Sequence, residues 1–315
     1  MSRIHDALKK AERERAGGGA PEQLGPPSGL AELEATRPPL PPLPAVDSGA
    51  IPGRQSRADT LDSTRIEEKL VSECLHVPWN PDSKTMLFFD EQNHALGTEQ
   101  FRSLRSHLYL IRKELPLKKV LVTSPLPKEG KTFVAGNLAQ AFVRQQDRRV
   151  LVIDADLRLP GMHIWFGAPS TPGLSDYLAG EADAFQVIQR SPLKNLFFVP
   201  GGKTVSNPLE LIGNGRLKVL LDHLAPAFDW IILDSPPATL VSDARLLADV
   251  SDGVLMVVLA ASTPYDVAQK ACQVFHGKRI LGVALNCAQE ASVYSSFQYY
   301  DEAKHRGRPE SPLKQ

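Results

Sequence analysis

The chain has 315 residues, 42% of them hydrophobic, and its 36 Lys+Arg balance 36 Asp+Glu. That length allows one large or two modest domains with enough apolar mass for a core, and the balanced charge excludes a general pull toward nucleic acid or anionic lipid. Cys74, Cys272 and Cys287 are far apart and match no metal spacing, which suits a reducing cytoplasm.

Residues 1–16, MSRIHDALKKAERERA, form a candidate amphipathic helix, capped by Ser2 and striped by Ile4, Leu8 and Ala11. So short a helix needs a surface on which to bury that stripe. Residues 17–60 differ in kind. The stretch 17–57 holds nine of the 26 prolines and seven glycines, with RPPLPPLP at 37–44, and reads as a disordered linker with polyproline II character. The charged N-terminus is unlike a signal peptide, and the densest apolar run, GVLMVVLAA at 253–261, falls short of the ~20 residues that cross a bilayer. The chain is expected to have no membrane span of its own.

From about residue 94, Leu96, Phe101, Leu104 and Leu108 recur at helical spacing. KKVLVTS (118–124) reads as a strand and KTFVAGNLAQAFVRQQ (131–146) as a helix, apolar at Val134, Leu138 and Phe142. Strands are then expected at 148–156, 195–200, 229–235, 252–258 and 279–286, with helices near 207–225, 242–250 and 264–276. The strand candidates are continuous apolar runs, which implies burial on both faces. Such alternation gives an α/β fold, a mostly parallel sheet flanked by helices, spanning residues 84–290. Residues 291–315 read as a flexible tail.

The chemistry concentrates in SPLPKEGKT (124–132), which follows a strand and opens a helix, the setting in which backbone amides and the helix dipole favour phosphate. The usual phosphate-loop pattern puts a glycine where this chain has Pro125, so the P-loop is of a deviant Walker A type. Lys131 would reach the β/γ phosphates and Thr132 would hold Mg²⁺. Asp154 and Asp156 end one strand and Asp234 ends another, so three carboxylates gather at the carboxyl edge of the sheet, where only a cation makes them comfortable.

Together these segments resemble the bacterial tyrosine kinase family, the cytoplasmic autokinases of capsule and exopolysaccharide assembly. TSPLPKEGKT (123–132) matches the family's Walker A throughout, VLVIDADLRLP its Walker A′ and IILDSPP its Walker B. PGLSDYLAG, NPLELI and the N-terminal segment are also similar to family stretches, and the resemblance covers roughly residues 94–300. The Min/Par-type ATPases share the deviant loop but carry a second lysine where this chain has Leu126, and Lys128 does not fill that role.

The resemblance implies a P-loop NTPase fold and an ATP- and Mg²⁺-dependent protein-tyrosine autokinase. Lys131, Asp154, Asp156 and Asp234 would be catalytic, and Thr132, Asp154 and Asp234 would bind the metal. Pro127, Lys128, Glu129, Gly130, Lys131, Thr132 and Phe133 would hold the nucleotide, with Asn286 at the adenine. Tyr294, Tyr299 and Tyr300, half of the six tyrosines, would be the phosphoacceptors. Glu99, Arg102 and Arg105 fit the family's E-x-x-R-x-x-R oligomerisation motif, at i, i+3, i+6 along one side of a helix. The implied partners are a homo-oligomeric ring with transfer in trans, a separate transmembrane polysaccharide co-polymerase that activates the kinase, and a protein-tyrosine phosphatase. The location would be cytoplasmic, at the inner face of the membrane through that partner. A nucleotide switch with weak chemistry, or a Min/Par-like ATPase, is the alternative.

Overall fold

Seven strands line up in the order β3-β4-β2-β5-β1-β6-β7, and every neighbouring pair is parallel except β3 with β4. A computed structural model describes residues 65–288 apart from 67, 71, 90–94 and 146. The expected helix at 1–16, the linker at 17–60, the tail at 291–315 and its tyrosines lie outside the described residues.

In chain order the elements are α1 (Ala95–Glu114), β1 (Lys119–Thr123), α2 (Lys131–Val143), β2 (Val150–Asp154), α3 (Met162–Phe166), α4 (Leu174–Ala179), β3 (Gln189–Arg190) and β4 (Leu196–Val199). They continue with α5 (Pro208–Gly213), α6 (Arg216–Leu224), β5 (Trp230–Asp234), α7 (Asp243–Asp249), β6 (Gly253–Leu259), α8 (Tyr265–Val274) and β7 (Ile280–Asn286). Successive strand side chains point to opposite faces, which sorts the apolar runs into two cores. Val120, Val122, Val150, Val152, Trp230 and Ile232 pack with α1, α2 and α3 on one face. Leu121, Leu151, Ile153, Ile231 and Leu233 pack with α4, α6 and α7 on the other. Ile66, Leu70 and Cys74, ahead of the expected start at 84, are buried in this second core.

Three expectations are corrected. The run 279–286 does form a strand, but not one buried on both faces: β7 is the sheet edge, and Ile280, Val283 and Leu285 are exposed. With no helix among the described residues over its outer flank, a strand paired on one side leaves its apolar residues exposed. The single helix expected at 207–225 is two, because Gly215 turns left-handed (φ 85) between α5 and α6. The strand expected at 148–156 ends at Asp154 and leaves Asp156 beyond it, while the helix α2 is buried from Val134 to Phe142, its expected apolar positions included.

Two polar residues inside α2 explain that burial. Asn137 Oδ1 accepts the Leu87 N–H (2.9 Å) while its Nδ2 donates to the Thr85 carbonyl (2.7 Å). One turn on, Gln140 Oε1 accepts the Phe88 N–H (3.2 Å). These side chains satisfy the backbone of the non-helical segment 85–88, which lets Met86, Leu87 and Phe88 cover α2 without stranding polar groups. Asn137→Leu should leave one donor and one acceptor unpaired in a dry interior. We expect a loss of about 2–3 kcal/mol in denaturant unfolding, with no change in slope.

Candidate active site

The loop from Ser124 to Thr132 leaves β1 at the carboxyl edge and enters α2. Its shape rests on side chains where the common pattern uses a glycine. Ser124 Oγ donates to the Leu126 carbonyl (2.7 Å), the Leu126 N–H donates to Glu129 Oε2 (2.7 Å), and Thr239 Oγ1 donates to the Pro125 carbonyl (2.6 Å). Left-handed backbone occurs later, at Lys128 (φ 64) and at Gly130 (φ 90), the residue that caps α2. A Cβ at Gly130 would fall 2.1 Å from Asn286 Nδ2, so another residue there would be strained in its backbone and would displace the asparagine. Leu126 occupies the place of the Min/Par lysine, and Lys128 points its exposed side of the loop to solvent.

Register then builds the anionic wall. In the β2–β5 pair Asp154 stands directly opposite Asp234, both fully buried, with Asp156 two residues beyond the first. Lys131 Nζ lies 3.0 Å from Asp156 Oδ2, and the Thr132 hydroxyl donates to Asp234 Oδ2 at 2.7 Å. Burial opposes the charge on Lys131, yet Asp234, Asp156 and Asp154 outweigh it and raise its pKa above the ordinary lysine value. Burial, then the charge of Asp234, pushes Asp154 up to about 8. Burial likewise raises Asp234 to about 6, restrained by Lys131 and the Thr132 hydrogen bond.

The two strand-end carboxylates differ in what they have left to offer. Asp154 Oδ2 accepts the Gly161 and Met162 N–H groups (3.0 and 3.1 Å), and its Oδ1 accepts that of Asp156 (3.2 Å). Asp234 Oδ1 is buried without a hydrogen-bond partner. An orphaned, charge-bearing oxygen beside a threonine hydroxyl fits an incoming cation. Among the described residues, no group of three or more His, Cys, Asp or Glu is arranged to hold a metal ion unaided.

The other expected residues fall into two places. Asn286, at the end of β7, donates to the Glu129 carbonyl (2.9 Å) and lines a cavity of about 360 Å³ with Phe101, Phe133 and Val134. Pro127 is exposed at the loop tip. Glu99 and Arg102 pair with each other on the exposed face of α1, whereas Arg105 is turned inward and donates to the Ala141 carbonyl (2.7 Å). The motif therefore does not present three free groups. Sequence reasoning missed Thr263, whose hydroxyl donates to Glu129 Oε1, and Arg158, which holds Asp243 through two bonds (2.7 and 2.9 Å). Arg158 follows the aspartates directly and could have been noticed there. No local signal marks Thr263.

With the geometry in view, comparison with known proteins adds the following. A model of the AAA domain matches residues 129–268. The chain is 35% identical to the tyrosine-protein kinase YwqD of Bacillus subtilis over 208 residues, covering 65% of this chain and 87% of that one. It is 31% identical to the tyrosine-protein kinase wzc of Salmonella typhimurium, covering 65% of this chain but 29% of the relative. The solved kinase domain of the Escherichia coli tyrosine kinase ETK superposes with a TM-score of 0.57 at 32% identity, over 62% of this chain and 78% of that domain.

The buried carboxyls set a pH dependence. Their folded pKa values lie above the ordinary carboxylate range, so the folded protein holds protons that the unfolded chain releases. That contribution is fully present below about pH 4 and is lost as pH rises toward 8. Asp234→Asn keeps the acceptor for Thr132 and removes the charge. Without nucleotide or metal it should melt higher than the parent at pH 8, by on the order of 1–3 kcal/mol, and the gap should close near pH 4. Thermal melts across that range read the difference.

Proposed function

The chain belongs to the bacterial tyrosine kinase family, and on that footing we propose how its residues carry out ATP-dependent tyrosine autophosphorylation in the control of capsule and exopolysaccharide synthesis. The observation that carries the reading is the convergence of Asp154, Asp156 and Asp234 on Lys131 and Thr132 at the mouth of the phosphate loop.

Phosphoryl transfer asks mainly for positioning and charge neutralisation. Lys131 and the backbone N–H groups of residues 128–133 cradle the phosphates of ATP, with Pro127 at the loop tip and the base directed toward Asn286. Mg²⁺, when bound, neutralises charge on the β and γ phosphates, and the fitting donors are Thr132 Oγ1 and the unpartnered Oδ1 of Asp234. Asp154 already accepts three backbone N–H groups, so it contributes through its charge or a bridging water. The phenolic oxygen of the acceptor attacks the γ-phosphorus, the bond to the bridging oxygen of ADP breaks, and the phenolic proton must leave. A free phenol, with pKa near 10, needs a base for that. Asp156 is the better placed, because it keeps some exposure beside Lys131 while Asp154 is sealed.

The acceptors are Tyr294, Tyr299 and Tyr300 of a neighbouring copy in a homo-oligomeric ring. Among the described residues no helix is long and apolar enough to cross a membrane. Following the family resemblance, a membrane-bound activator is assigned to a separate protein, and a phosphatase would reset the tail. Some relatives are matched over most of their length and others over 34% or 25%, so the longer ones carry segments beyond the region compared. We assign domain bounds of 84–290 for the kinase and 291–315 for the tail, the packed segment at 65–75 adding to the former.

Lys131→Met should abolish incorporation of labelled phosphate, since no other lysine of the loop reaches the same point. Wild-type incorporation by that variant, free of contaminating kinase, would remove the loop from the reaction. For assembly, Arg102→Ala is the cleaner probe, because Arg105 also supports its own domain. It should shift light scattering toward monomer and make autophosphorylation slow and concentration-dependent. Undiminished, concentration-independent transfer by a monomer would mean that the reaction runs in cis.

A further inference from the structure

The segment after β2 is strung on the catalytic carboxylates. The Leu159 N–H donates to Asp156 Oδ1 (3.1 Å), and the Gly161 and Met162 N–H groups donate to Asp154 Oδ2. Arg158 is held on Asp243, whose carboxylate is fully buried, by two bonds. On the far side Pro160 packs so closely to Gly201 that a Cβ there would lie 2.6 Å from it. A loop fixed at so many points has little freedom to withdraw a side chain from water. Yet Leu159 is 81% exposed, and Ile164, on α3 just beyond, is 67% exposed. Single exposed leucines are common and need no account. This one is set apart by its mounting, because its own backbone is a ligand of the aspartate that sits against Lys131.

We propose that Leu159, seconded by Ile164, is the apolar platform on which the acceptor tyrosine of a neighbouring copy lies, and so a substrate-positioning residue. The proposal rests on the kinase reading above. The occupant is the stretch 292–300, SVYSSFQYY, from a second copy of this chain. It has no charged residue in those nine positions, so ion pairs cannot hold it, and its aromatic rings call for an apolar surface. The Leu159 N–H on Asp156 Oδ1 keeps the platform's backbone against that carboxylate, so a ring laid on Leu159 is held at the mouth of the site. Binding of the acceptor and placement of the base are thereby one event.

The test separates donor from acceptor. Donors carry Tyr294→Phe, Tyr299→Phe and Tyr300→Phe, with Leu159 unchanged, Leu159→Ala or Leu159→Met. The acceptor is the full chain with Lys131→Met, and initial rates of tyrosine phosphorylation are followed against its concentration. Leu159→Ala should raise KM for the acceptor about tenfold, which is about 1.4 kcal/mol, the scale of one well-packed leucine contact. Its kcat should stay near that of the parent donor, and Leu159→Met should restore KM because the two side chains are close in volume. An unchanged KM in Leu159→Ala would overturn the proposal. So would a loss confined to kcat, or a parallel loss of affinity for a fluorescent ATP analogue, since either would mean that the leucine acts through Asp156 or the phosphate loop. A parent donor that hydrolyses ATP but labels no acceptor tyrosine would instead sink the kinase reading, and the platform with it.

Discussion

Three aspartates share one lysine at the carboxyl edge of this sheet, and most of the architecture serves to keep them there. Opposed carboxylates on neighbouring strands repel each other, and burial adds the cost of lost hydration. Only a stiff frame holds such a pair. The frame is the five fully buried residues of β2 and the five of β5, clamped between two cores. Backbone amides from 156, 161 and 162 relieve one aspartate, and a hydroxyl and an ammonium relieve the others. What stays unrelieved is the capacity to bind: an oxygen with no partner and negative charge in excess of Lys131. Stability is given up where function needs an unmet demand.

The central strands were legible because they are buried on both faces and so read as unbroken apolar runs. The same rule failed at β7, where an apolar run is exposed because nothing among the described residues flanks the edge. β3, two residues long and antiparallel, offers too little pattern to detect. Gly215 was visible, but its left-handed turn between α5 and α6 could not be told from a tolerated helix glycine. The roles of Asn137 and Gln140 were hidden for a different reason. Their partners lie 50 and 52 residues away, and nothing in a helical repeat announces that a buried amide will serve a distant backbone.

At the site, the phosphate loop and all three aspartates could be read from the sequence, because Asp154 and Asp234 end legible strands and Asp156 follows the first by two residues. Their mutual geometry could not. That Asp154 would be saturated by amides while Asp234 kept an orphaned oxygen depends on how the chain turns after Asp156. The answer to the missing first glycine came partly from outside the motif, at Thr239, and partly from within the loop, at Glu129. Thr239 and Glu129 brace the loop through its carbonyl and amide groups, so the conformational freedom that glycine supplies elsewhere is unnecessary at Pro125.

The contact between Asn286 and the Glu129 carbonyl has a mechanical side. Asn286 ends β7 and is held against the phosphate loop. Among the described residues β7 is tied to the sheet along β6 alone. Among the described residues Asn286 hydrogen-bonds that strand to the loop backbone, and it sits against Gly130, whose left-handed backbone favours glycine. A shift of β7 along β6 would thus be delivered through Asn286 to Gly130 and the start of α2, making the edge strand a lever whose short arm rests on the loop.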